Sequence, residues 1–174
     1  MEDAQRDALW EVTNETFYDA YYEEVAADRL ISRWQLMDET ARLAVAIAAT
    51  GSAVSGWALW NQPVFRHIWA VLAGLAAVLS IVHVTLAVAR RLKDWGNTRQ
   101  HFAILRADLE TFRSRMRVDP LFPVPAFQQD FLGYRDRYAE GLTSLKPDIL
   151  LTRGFRIRAQ KDLNQRLASE IVDP

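Results

Sequence analysis

Cysteine is absent from the 174 residues, which excludes disulfides and thiolate metal centres. Six prolines and seven glycines are too few for the turn density of an all-β chain, so the expected fold is mainly helical. Histidine occurs only at His67, His83 and His101, too dispersed for recognisable metal-ligand spacing. No Walker loop, Rossmann glycine fingerprint or nucleophile elbow is present. Paired carboxylates such as Glu23 and Glu24 sit in a charged helical context where they serve solubility. The sequence therefore points to no enzyme, no metal and no cofactor. The acidic start, Met1 to Glu11, lacks the basic-then-apolar order of a secretory signal peptide.

Charge is also missing from two long stretches, and this is the chain's most informative feature. Residues 43–60 (18 residues) and 68–89 (22 residues) contain no Asp, Glu, Lys or Arg and lie seven residues apart. At the helical rise the first would reach about 27 Å and the second comfortably more, against a hydrocarbon core of about 30 Å. Pro63 in the connector biases Gln62 away from helix and favours a turn. The runs are apolar all round rather than on one stripe, so a soluble bundle with two buried central helices would leave a chain of this size too little protein to cover them. Trp57, Trp60, Phe65 and Trp69 cluster at one end of the pair and Trp34 and Trp95 flank the other, as interfacial aromatic belts do. The expectation is an all-α protein with a membrane helical hairpin. Arg29, Arg33 and Arg42 precede it, and Arg90, Arg91, Lys93 and Arg99 follow, so both termini are expected to be cytoplasmic, at a prokaryotic inner membrane.

Four segments follow: an N-terminal amphipathic cytoplasmic helix (1–42), the hairpin (43–89), a long cytoplasmic heptad helix (90–118), and a proline elbow with a C-terminal helical segment (119–174). In the first, Asp3 is placed to cap, and Phe17, Tyr18, Tyr21 and Tyr22 gather on one face. That face suits packing against another helix, since Asp19, Glu23 and Glu24 beside it would repel a nucleic-acid phosphate. In the third, Trp95, Phe102, Leu105, Leu109, Phe112 and Met116 form a heptad seam that needs a partner, either the N-terminal arm or another copy of the chain. Pro120, Pro123 and Pro125 cannot share a continuous helix, and helices are expected over 126–145 and 153–171.

Small residues mark the runs at helix-packing intervals: Ala44, Ala48, Ser52 and Gly56 in the first, Ala70 and Gly74, with Ala73 and Ala77, in the second. They fit packing of the hairpin on itself or between subunits. His83, with Ser80 and Thr85, lies deep in the second run, where it would line a pore, titrating at about pH 6.5, or make one interhelical hydrogen bond. A two-span monomer cannot enclose a water path, so conduction would require a homo-oligomer.

Residues 1–40 carry 11 acidic and 3 basic side chains, and residues 90–174 carry 16 basic and 11 acidic, so the flanks have opposite sign and can attract each other within or between subunits. The strip Arg153, Arg156, Arg158 and Lys161, interleaved with Phe155 and Ile157, would lie on anionic lipid, touch RNA, meet the acidic arm or stay solvated.

The arm around Tyr21-Tyr22-Glu23-Glu24, the runs 43–60 and 68–89, and the emerging Arg90-Arg91-Leu92-Lys93-Asp94-Trp95 resemble the SLATT family of prokaryotic two-span effectors over roughly residues 15–117. The likeness is one of architecture, so it transfers no catalytic residue. It implies an anti-phage effector that assembles in the inner membrane and compromises it when a companion sensor or nucleotide signal triggers it. A membrane anchor that recruits a soluble partner through its cytoplasmic helices is the alternative, and a holin-like lysis protein is disfavoured by the long C-terminal part. Nucleic acid is not an expected partner.

Overall fold

The computed structural model describes residues 2–58 and 87–172 and, between them, Val71, Gly74, Leu75, Ala77 and Val78. These are helical apart from short connections, and no strand occurs among the described residues. The elements are α1 (Glu2–Ala58), α2 (Val88–Val118), α3 (Val124–Ser144) and α4 (Arg153–Val172).

α1 has no glycine or proline before Gly51, so nothing in its backbone chemistry stops it at residue 42. Glu2 and Asp3 complement the positive end of its dipole and hold Arg6 at 3.3 and 2.9 Å. α2 follows a turn at Ala87, whose φ of 45° is left-handed and whose carbonyl accepts from the Arg90 and Arg91 amides. Nothing in an alanine announces that turn, which lies within the second uncharged run. Arg115 and Arg117 complement the C-terminal dipole of α2. Pro120 then closes the helix, and the chain turns through Phe122, whose amide donates to the Asp119 carbonyl at 3.2 Å. α3 opens with Pro123 as its N-cap and Pro125 in its first turn, where a missing amide hydrogen costs nothing.

The chain divides into two units, one of residues 1–30 with 95–174, the other of residues 31–94. The first has a layered helical core. Phe17, Ala20, Tyr21 and Val25 of α1 pack with Phe102, Leu105 and Leu109 of α2 and Leu163 of α4. Nearer the proline elbow, Leu9, Phe112 and Met116 pack with Phe122, Phe127 and Phe131. Rings stack through this layer, with centroids 5.3 Å apart for Phe112 and Phe127 and 4.7 Å for Phe122 and Phe127.

In the second unit Trp34 and Val88 are buried, and the Arg91 guanidinium lies 5.1 Å over the Trp34 ring. Other described apolar side chains of this unit are far more open: Leu36, Leu43, Ile47, Val71, Leu75 and Val78 are each more than half exposed. Among the described residues no helix is long and apolar enough to cross a membrane. Of the two uncharged runs, 43–58 is helix and most of 68–89 lies outside the described residues.

Candidate functional site

Trp95, Phe102, Leu105, Leu109, Phe112 and Met116 are all buried inside the first unit. The surface expected to seek a partner meets the chain's own N-terminal arm, with α3 and α4 closing over it. Within the arm, Phe17 and Tyr21 enter the core while Tyr18 stays 41% exposed and Tyr22 half-buried.

Opposite charges on the flanks meet within this unit. Glu24, 8% exposed, takes the Arg106 Nε at 2.7 Å, and the Arg106 guanidinium also lies 4.7 Å over the Tyr21 ring. Burial works against the Arg106 charge, but the Glu24 hydrogen bond and charge outweigh it and leave its pKa raised. One turn along α1, Asp28 receives Arg99 at 3.2 Å and Arg166 at 3.0 Å, and Arg29 reaches Asp162 at 2.6 Å. α1 is thereby tied to both α2 and α4. Between α2 and α3, Arg137 reaches Asp108 at 2.7 Å and its carbonyl accepts from His101 Nε2 at 2.9 Å.

Two polar features escaped the sequence reading. Arg113 lies 4.2 Å from the Phe17 centroid, 5.7 Å from Trp10 and 5.6 Å from Tyr18, an aromatic box in which burial lowers its pKa. The i,i+7 spacing of Trp10 and Phe17 was the available signal. Tyr22, Glu23 and Tyr138 form the second. Burial raises all three pKa values, and Tyr138, facing Asp19 and Glu23 as well, is pushed up to about 12. Arg156 partly offsets the shift at Glu23.

The expected hairpin contacts are placed as follows. Ser80, His83, Thr85 and Ala70 lie outside the described residues. Ala44 is half-buried, and Ala48, Ser52 and Gly56 belong to α1. Gly74 faces open space, with nothing within 4 Å of the position a Cβ would take. Among the described residues no group of three or more His, Asp or Glu is placed to hold a metal ion.

No family model, curated protein or solved structure matches this chain. Two surfaces stand out among the described residues: the charge-laced helical unit, and the exposed apolar side chains Leu36, Leu43, Ile47, Val71, Leu75 and Val78.

Proposed function

We propose that this chain is a homo-oligomeric membrane effector whose residues 43–89 enter the inner membrane as a two-helix hairpin and open a pore or disrupt the bilayer in anti-phage defence. The trigger is a companion sensor or a nucleotide signal acting on the helices of the first unit, with both termini cytoplasmic. The observation that carries this reading is the exposure of Leu43 (61%), Ile47 (55%), Val71 (63%), Leu75 (55%) and Val78 (58%) in stretches with no charged residue. Fully burying one such side chain is worth about 1.5–3 kcal/mol, so a surface of this kind seeks lipid or further copies. Open space at Gly74 leaves room for the close helix approach that small residues permit. The resemblance to the SLATT architecture supports the defence role.

The alternative is a membrane anchor that recruits a soluble partner. It is favoured by the core and ion pairs of the first unit, which are made among residues 1–30 and 95–174 themselves. Release of a self-quenched dye from vesicles separates the two. Purified protein with no partner present is expected to empty vesicles in a dose-dependent way. Intact vesicles carrying stably inserted protein would sink the effector reading and favour the anchor.

A further inference from the structure

α2 brings five arginines to the first unit, and three of them meet carboxylates: Arg99 meets Asp28 at 3.2 Å, Arg106 meets Glu24 at 2.7 Å and Arg115 meets Asp130 at 3.5 Å. Arg113 and Arg117 do not. Among the described residues no carboxylate oxygen lies within 4 Å of either. Both guanidinium groups instead share one indole, Arg113 at 5.7 Å and Arg117 at 5.5 Å from the Trp10 centroid. They stand one helical turn apart, close enough that Arg117 works against the Arg113 charge, which burial already disfavours. The Arg113 Nε is buried with no hydrogen-bond partner among the described residues. Glu110 favours the Arg113 charge, but its carboxylate lies 3.6 Å from Arg106. Toward α1 the Arg113 guanidinium is 5.6 Å from the ring of Tyr18, which is 41% exposed.

We propose that Arg113 and Arg117, set on the Trp10 indole with Tyr18 at the edge, bind the phosphate monoester of a nucleotide, a site that rests on the nucleotide-signal reading above. Two cations without carboxylates match the charge of about −1.5 to −2 that such a group carries at pH 7, and guanidinium is the side chain whose donors best fit its oxygens. A bound dianion also relieves the repulsion between the two arginines, a cost that the free protein carries. The exposed ring of Tyr18 gives a base a face on which to stack. Asp19, its neighbour in sequence, bears on Glu23 and Tyr138 rather than on Arg113. All of these residues belong to the first unit.

The test is calorimetric titration of the full-length protein in phosphatidylcholine nanodiscs with the 5′-monophosphates of adenosine, guanosine, cytidine and uridine, with the four nucleosides, and with inorganic phosphate. At least one monophosphate is expected to bind at least tenfold more tightly than its nucleoside, on the order of one charge-assisted hydrogen bond, and more tightly than inorganic phosphate. Arg117→Gln changes an exposed side chain and should weaken that binding about tenfold by the same measure. Adding Arg113→Gln should abolish it, and should this double variant fail to fold, Arg117→Gln alone decides. Tyr18→Ala should weaken the nucleotide and leave inorganic phosphate unaffected, while Arg158→Gln, which removes an exposed cation of α4, should change neither. Silence with all four monophosphates, equal affinity for nucleoside and monophosphate, inorganic phosphate binding as tightly as the nucleotides, or full affinity in Arg117→Gln would each overturn the site. Dye release by the same proteins tests the underlying reading separately. Release that ignores a nucleotide bound at these arginines removes the trigger and keeps the site, whereas release by a protein that binds no nucleotide removes the site and keeps the effector.

Discussion

At Gly141, α3 passes tightly against His101 and Phe102 of α2. A Cβ there would stand 2.8 Å from both His101 Nε2 and Phe102 Cζ, closer than real Cβ contacts come. Two effects oppose each other in Gly141→Ala. Helix propensity favours alanine by about 1 kcal/mol, and overpacking costs about 1–3 kcal/mol. The clash should win, because His101 is pinned by its bond to the Arg137 carbonyl and Phe102 is wholly buried. Thermal unfolding of the variant is expected below wild type; a higher midpoint would mean the rings move aside freely. Glu23 yields a second prediction. Burial raises its pKa above 4.5, so the folded state favours the protonated acid. Its favourable contribution is then full below the unfolded value and is lost as pH rises through the folded one. Glu23→Gln mimics the protonated form and should stabilise the protein near pH 7 while changing little near about pH 4. Melting curves at the two pH values test this, and a stability gain of equal size at both would show that the charge is not the cause.

Among the elements, α4 depends most visibly on one side chain. Thr152 supplies its cap, and Thr152→Ala should cost about 1 kcal/mol, with Thr152→Ser restoring most of it. Hydrogen exchange at the Phe155 amide should report the loss locally; unchanged protection there would show that the bond contributes little. The elements themselves were largely legible. Spacing at Trp95, Phe102, Leu105, Leu109, Phe112 and Met116 identified the buried face of α2, and three prolines marked the elbow, because a periodic apolar stripe and a missing amide hydrogen are local facts. The occupant of that stripe was not legible. A heptad stripe specifies a facing helix without saying which one, and only the meeting of Phe17 and Tyr21 with Phe102 and Leu105 settles it inside the chain. The Ala87 turn gave no signal, since alanine favours helix. The ion pairs were foreshadowed by the opposite signs of the flanks, but specific pairs such as Glu24 with Arg106 depend on register between segments 82 residues apart.

At the scale of the whole molecule, the first unit is interrupted by the 64 residues from Ile31 to Asp94, yet its core draws on residues from both sides of that interruption. Arg99 lies 3.2 Å from Asp28, so the two cut ends run close together, within reach of an ordinary helix–helix connection of about 2–8 residues. Replacing 31–94 by a short Gly/Ser linker should leave Phe17, Tyr21, Phe102, Leu109 and Leu163 packed and the Asp28, Arg29 and Glu24 ion pairs in place. The expected product dissolves without detergent, is highly helical and melts in one cooperative transition, while the full chain retains the exposed Leu43, Ile47, Val71, Leu75 and Val78. A helical product with a broad, non-cooperative melt would mean that residues 31–94 help order this core, and the proposed division of labour between a folded module and a membrane-entering hairpin would have to be abandoned. A cooperative module would supply the soluble bait for finding the trigger, because any sensor or nucleotide that acts through these helices should shift its melting temperature in proportion to the logarithm of ligand concentration above Kd.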